Sequence, residues 1–257
     1  MGAHRNPLVN REPLFNVPTV VVAILALLAL IHFVRVTLLS DQGQLEFLYT
    51  FGFVPARYGE SPLVGALPGG TGADIWSFVT YSLIHADWVH FGVNAIWLLP
   101  FGSAVARRFG AWRFLAFYAV TAATGAAMHL ATHVGEDVPM IGASAAISGT
   151  MAAAMRFAFQ RGGPLGLWRN TDEDAYRVPA IPLRRVFTDM RVLVFLAVWF
   201  GINILFGRGT LPITSGSDQA IAWQAHIGGF LAGLLLFSWF DPVPRERPAA
   251  DSDAPPQ

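Results

Sequence analysis

Gly142-Ala143-Ser144-Ala145 opens an apolar helical run, and 82 residues after that serine a second apolar run carries Ala225-His226-Ile227-Gly228-Gly229. A serine and a histidine therefore stand at membrane depth. Ionisable groups are costly in hydrocarbon, which makes an intramembrane histidine a functional-site hypothesis by default. A serine directly after a flexible glycine turn is its natural chemical partner. The pair points to peptide hydrolysis within a bilayer.

Composition sets the class in which that reading holds. With 54% hydrophobic and 13% charged residues over 257 positions, the chain is too apolar for a soluble domain, whose charged share is about 25%. Absence of cysteine removes disulfide frameworks, thiolate metal sites and a cysteine nucleophile, so a nucleophile must be a hydroxyl. All 17 basic residues are arginine, which rules out Schiff-base chemistry and a Ser-Lys dyad. Net charge is zero and no basic block stands out, which argues against nucleic acid as a partner.

Six stretches, 17–39, 89–107, 112–133, 144–160, 191–207 and 220–240, are apolar and approach the roughly 20 residues that a membrane-crossing helix needs. The expected fold class is an all-α polytopic bundle of six spans. Its parts are a leader over 1–16, a membrane domain over 17–240 and a disordered tail over 241–257 rich in Pro, Asp and Ala. The first span is too long for a secretory leader and lacks a small-x-small cleavage site, so it reads as a retained anchor. Fourteen of the 17 arginines fall on the leader, the turn between spans two and three, the loop between spans four and five, and the tail. Positive charge marks the cytoplasmic side, so both termini are expected there. The four-five loop reads as irregular or disordered. The outer segment 40–88 carries Leu45, Phe47, Leu48, Tyr49, Phe51, Phe53 and Val54, a pattern that fits either an interfacial piece or a folded cap. Neither a second domain nor an internal repeat is visible.

This topology places Ser144, His226, His90 and Asn94 in the outer third of the bilayer, on one side. A serine hydroxyl becomes nucleophilic when a base takes its proton, and His226 has the chemistry to be that base and then the acid. No span carries an interior Asp or Glu, so the arrangement reads as a dyad rather than a triad. His90 and Asn94, spaced i, i+4 on one helix face, join the Ser144 amide as candidate oxyanion donors. Ser82, His85, Asp87, Thr132 and His133 are candidates to line a water path. Ser144/Ser148, Ala145/Gly149 and Ala225/Gly229/Gly233 repeat small residues every fourth position, which lets two helices approach closely.

The same residues admit blander readings. A serine in a membrane helix can bond back to its own i−4 carbonyl, and a lone histidine can bridge helices. His85 and His90, with His129 or His133, have the side chains for a metal site. His4 and His32 read as incidental, and Arg35 as a snorkelling residue. Trp76, Trp88, Trp112 and Trp239 lie near span ends, as belt residues do. A transporter or channel would call for inverted repeats, broken helices or mid-membrane charges, none of which is visible.

Over about 76–240 the chain resembles the rhomboid intramembrane serine proteases of the six-helix bacterial type. The resemblance rests on His85-x4-His90-x3-Asn94, Phe101-Gly102, Gly142-Ala143-Ser144 and Ala225-His226-Ile227-Gly228-Gly229-x3-Gly233, in that order. It implies a Ser144–His226 dyad, with His90, Asn94 and the Ser144 amide as oxyanion donors and with Gly142, Gly229, Gly233 and His85 as structural neighbours. It also implies cleavage of single-span transmembrane substrates in the lipid bilayer, without cofactor, metal or nucleotide, in a bacterial inner membrane. Part of the gating expectation, a mobile lid over Gly207 to Gln219, comes from the same likeness. Departures are Ala145 where the family has glycine, Ser148 where an aromatic ring often faces the histidine, Ser77 after Trp76 where arginine is common, and Ala106 for an acidic residue. The alternative implied by the family is a weak or inactive relative that binds transmembrane clients without cutting them.

Overall fold

The computed structural model describes residues 17–60, 65–165, 173–207 and 222–244. The leader 1–16, residues 245–257 of the tail and the expected lid beyond Gly207 lie outside the described residues, as does His4; the tail's first residue, Asp241, is held by Arg108 rather than disordered. Ten α-helices and no strand occur among the described residues; one isolated pairing joins Phe53 and Met140.

Among the described residues, three stretches are long and apolar enough to cross a membrane. They are α1 (Thr19–Leu38), the α4–α5 unit (α4 Trp88–Trp97, α5 Ser103–Phe109) and α6 (Ala111–Thr132). Pro100 lacks an amide hydrogen and its ring crowds the carbonyl four residues earlier. The chain absorbs it in a widened turn over Leu98–Gly102, so α4 runs on into α5. Gly110, at φ +78°, then reverses direction into α6.

Three further helices complete the bundle: α7 (Ser144–Met155), α9 (Met190–Gly207) and α10 (Trp223–Phe240). α7 is shorter than the expected 144–160. After Met155 the chain turns, and its carbonyls are taken by later residues: Leu165 N–H donates to Ala158 O at 2.9 Å and Ile181 N–H to Arg156 O at 2.8 Å. Every residue of α7 from Ala145 to Met155 is buried. Small side chains let α6 and α10 close around it. A Cβ on Gly229 or Gly233 would run into the backbone of Ala145 or Gly149, respectively, and one on Gly125 would stand 2.6 Å from the Ala145 Cβ. Ala145 therefore fits where its neighbours are glycines.

The outer segment folds as a cap that still shows an apolar edge. Ser40 caps α2 (Asp41–Phe51), and α3 (Gly70–Thr80) packs against it. Phe53 and Val54 are fully buried in the bundle, whereas Leu45 is 57% exposed. Arg57 holds the cap from within, donating to Tyr49 O and Pro68 O and pairing with Asp74 at 3.2 Å. Anchorage is thus supplied without the arginine missing after Trp76.

Arg35 and His32 correct their sequence readings. Arg35 does not snorkel: it is 6% exposed, and its Nη2 donates to the carbonyls of His85 and Ala86 at 2.8 and 2.9 Å. His32 is not incidental, since its Nδ1 donates to the same His85 carbonyl at 3.0 Å and its ring meets Trp88 edge-on. Both reach inward because the turn before α4 leaves these carbonyls without helical partners.

The described parts of the four-five loop are likewise ordered rather than irregular. A 3-10 turn (Glu173–Arg177) and the short α8 (Leu183–Val186) are pinned by arginines from helix ends. Arg108 donates to the carbonyls of Tyr176 and Val178, both at 2.8 Å, and Arg156 Nε to that of Ile181 at 2.8 Å.

Candidate active site

Gly142 sets up the site from the backbone. Its φ of +124° is a conformation that side-chain-bearing residues rarely adopt, and its amide donates to Tyr81 O at 3.0 Å. The turn delivers Ser144 to the start of α7, where first-turn amides have no acceptor within the helix. Ser144, His90 and His226 are each only partly buried.

His226, in the first turn of α10, spans the gap to α7. Its Nε2 lies 2.7 Å from Ser144 Oγ, between residues 82 apart in sequence. The close α7–α10 approach at Gly229 makes this distance possible. At such a distance a neutral imidazole can take the hydroxyl proton. The expected back-bonding of serine occurs one turn later instead: Ser148 Oγ donates to Ser144 O at 2.7 Å, leaving the Ser144 hydroxyl to the histidine.

Asp87 caps α4 by accepting from the His90 amide at 2.7 Å, and the Ala86 amide donates to His90 Nδ1 at 3.3 Å. Accepting through Nδ1 places the ring hydrogen on Nε2, so His90 offers a donor on the Gly142 side, where its ring closely abuts the glycine. Asn94 is buried and its Nδ2 donates to His90 O at 2.9 Å, which occupies one of its two amide hydrogens.

Of the other sequence candidates, His85 packs directly against the group. His85 is buried, with neither ring nitrogen partnered and its ring edge-to-face with His90 at 5.1 Å. Burial, reinforced by His90, His32 and Arg35, pushes its imidazole down to about 3. Ser82 is also buried, donating to Val79 O at 2.7 Å. His129 and His133 stack on each other at 4.1 Å, and no group of three ligand-type side chains gathers among the described residues.

One residue was not anticipated. Asn203 of α9 is 6% exposed, and its Oδ1 lies 2.5 Å from His226 Nδ1. A search for a carboxylate partner passes over it, because an amide carries no charge to stand out in an apolar span.

Together the helices and the site define a polytopic membrane protein built around a serine–histidine pair. A family model, the Rhomboid domain, matches residues 72–240, and the chain belongs to the rhomboid family. It is an integral membrane protein. Rhomboid protease GluP of Bacillus subtilis (strain 168) is 26% identical over 160 residues, which are 62% of this chain and 25% of that relative. The chain thus matches about a quarter of the length of that relative.

Proposed function

We propose that this protein is an intramembrane serine endopeptidase that uses a Ser144–His226 dyad. The observation that carries the reading is the 2.7 Å approach of His226 Nε2 to Ser144 Oγ across two tightly packed helices. Family membership and the likeness to a rhomboid protease support it.

In this mechanism Ser144 Oγ attacks the scissile carbonyl carbon while His226 Nε2 takes the hydroxyl proton. The carbonyl oxygen becomes an oxyanion, met by the Ser144 amide, His90 Nε2–H and the free hydrogen of Asn94 Nδ2. Collapse breaks the C–N bond as imidazolium returns its proton to the leaving amine, leaving an acyl ester on Ser144. Water, deprotonated by the same imidazole, then releases the acid and restores the serine.

We place six helices across the bilayer, α1, α4–α5, α6, α7, α9 and α10, with both termini on the arginine-rich cytoplasmic side of a bacterial inner membrane. The substrates are single-span membrane proteins. Hydrolysis needs an exposed, extended backbone, whereas a helix hides its carbonyls, so cleavage falls where the substrate helix unwinds readily near its outer end.

Cleavage of a single-span reporter in liposomes tests the assignment, with and without a chelator. Chelator-resistant cleavage that disappears in Ser144→Ala and in His226→Ala is the expected result. Equal cleavage by all three proteins overturns the dyad, and tight reporter binding without cleavage supports the client-binding alternative.

A further inference from the structure

We propose that Asn203 is a positioning residue: its side-chain carbonyl holds the His226 imidazole with the hydrogen on Nδ1 and the free electron pair of Nε2 facing Ser144. This inference rests on the catalytic reading of the dyad and adds a third member to it.

The orientation of the Asn203 amide is fixed by its own second bond. Nδ2 donates to Trp199 O at 2.8 Å, so Oδ1 is the atom that faces the histidine, 2.5 Å from Nδ1. An amide oxygen only accepts, and two facing acceptors repel, so Nδ1 carries the hydrogen. A neutral ring has one hydrogen, and Nε2 is then the acceptor opposite the Ser144 hydroxyl. That is the tautomer a general base needs, and loss of tautomer control is costly in serine hydrolases of the triad type.

The support itself is braced. Trp199 stacks on Phe230 with ring centroids 4.7 Å apart and planes 27° apart. Trp199 and Asn203 are one turn apart on α9, and His226 and Phe230 are one turn apart on α10. Two side-chain rungs therefore join the helices, the apolar one steadying the polar one. Ser148 offers no ring to the imidazole, so orientation falls to Asn203. An amide does this without the cost of a carboxylate at membrane depth. The ionisable side chain that bears on His226 among the described residues is His90, from α4.

The experiment uses the full-length protein in liposomes, reading Ser144 acylation by a fluorophosphonate probe and reporter cleavage against pH. Asn203→Ala is expected to slow both by at least about tenfold through kcat with little change in KM, within the roughly 100- to 10,000-fold that a positioned general base supplies. Asn203→Asp, which keeps the shape, is expected to retain labelling and to move the acid limb of the rate profile to higher pH, because an anion favours imidazolium. A loss caused by misfolding alone would not shift that limb. Wild-type rates in Asn203→Ala, or an unmoved acid limb in Asn203→Asp, overturn the proposal. If Ser144→Ala and His226→Ala abolish activity while Asn203→Ala keeps the wild-type rate, positioning fails and the dyad stands; if those two variants remain active, the dyad itself fails.

Discussion

Gly142 and His90 leave no room for a methyl group between them: a Cβ at 142 would stand 2.8 Å from both Cε1 and Nε2 of the imidazole. The glycine is also at φ +124°. Gly142→Ala is therefore expected to cost about 1–3 kcal/mol of backbone strain. It also displaces His90 from the start of α7, and turnover should fall by roughly 100-fold or more, the scale of one lost oxyanion donor. Thermal unfolding beside probe labelling separates the two effects, and full activity would show that His90 is not needed there.

Gly229 plays the corresponding part between α7 and α10. Its Cα faces the Ala145 backbone without space for a side chain. Gly229→Ala should push the helices apart, costing about 1–3 kcal/mol as overpacking does. Because Ser144 and His226 lie on the same two helices, acylation should drop more steeply than stability. A variant that unfolds earlier yet labels at the wild-type rate would contradict this.

At the opposite end of the bundle, Arg108 and Asp241 form a bidentate pair at 2.8 and 2.9 Å with side chains 0% and 7% exposed. Arg108 also lies 4.5 Å from the Phe157 ring centre and holds two loop carbonyls. Breaking such a buried pair typically costs about 3–5 kcal/mol. Asp241→Asn is expected to lower the melting temperature, and Arg108→Ala to lower it further because the carbonyls of Tyr176 and Val178 lose their donor. Equal melting of all three proteins would refute the claim.

His85 gives a pH dependence of defined sign. Its imidazole is held near 3 in the fold, against about 6.5 in an unfolded chain. Above about 6.5 both states are neutral and the site contributes no slope. As pH falls from there toward 3, the unfolded chain binds a proton that the folded chain refuses, so stability declines. Melting temperatures between pH 7 and 4 should fall in the wild type and fall less in His85→Gln. Parallel curves would show that other groups set the acid sensitivity.

The serine–histidine pair and the helices that carry it were readable because both depend on local signals: a glycine turn, small residues at fourth positions and apolar runs. Asn203, His32 and Arg35 were not, since each acts through a carbonyl or ring nitrogen on a distant segment and sequence spacing carries no trace of that partner. The order in the described parts of the four-five loop escaped for the same reason. Polar composition reads as disorder, but Arg108 and Arg156 are buried donors that need acceptors, and the loop carbonyls supply them. The length of α7 was overestimated because apolar character continues past Met155, while the backbone bonds there are made with Leu165 and Ile181 instead.

α7 spans 12 residues, about 18 Å at the usual helical rise, and protein covers it from Ala145 onward. Such a segment, rich in alanine, glycine and hydroxyl side chains, has little reason to partition into lipid by itself. Its burial depends on neighbours that seal it, and α10, one wall of that seal, follows it in the chain by more than 60 residues. Until Trp223–Phe240 is in place the serine helix lacks that wall, so the element that seals α7 is also the one that brings the histidine to it.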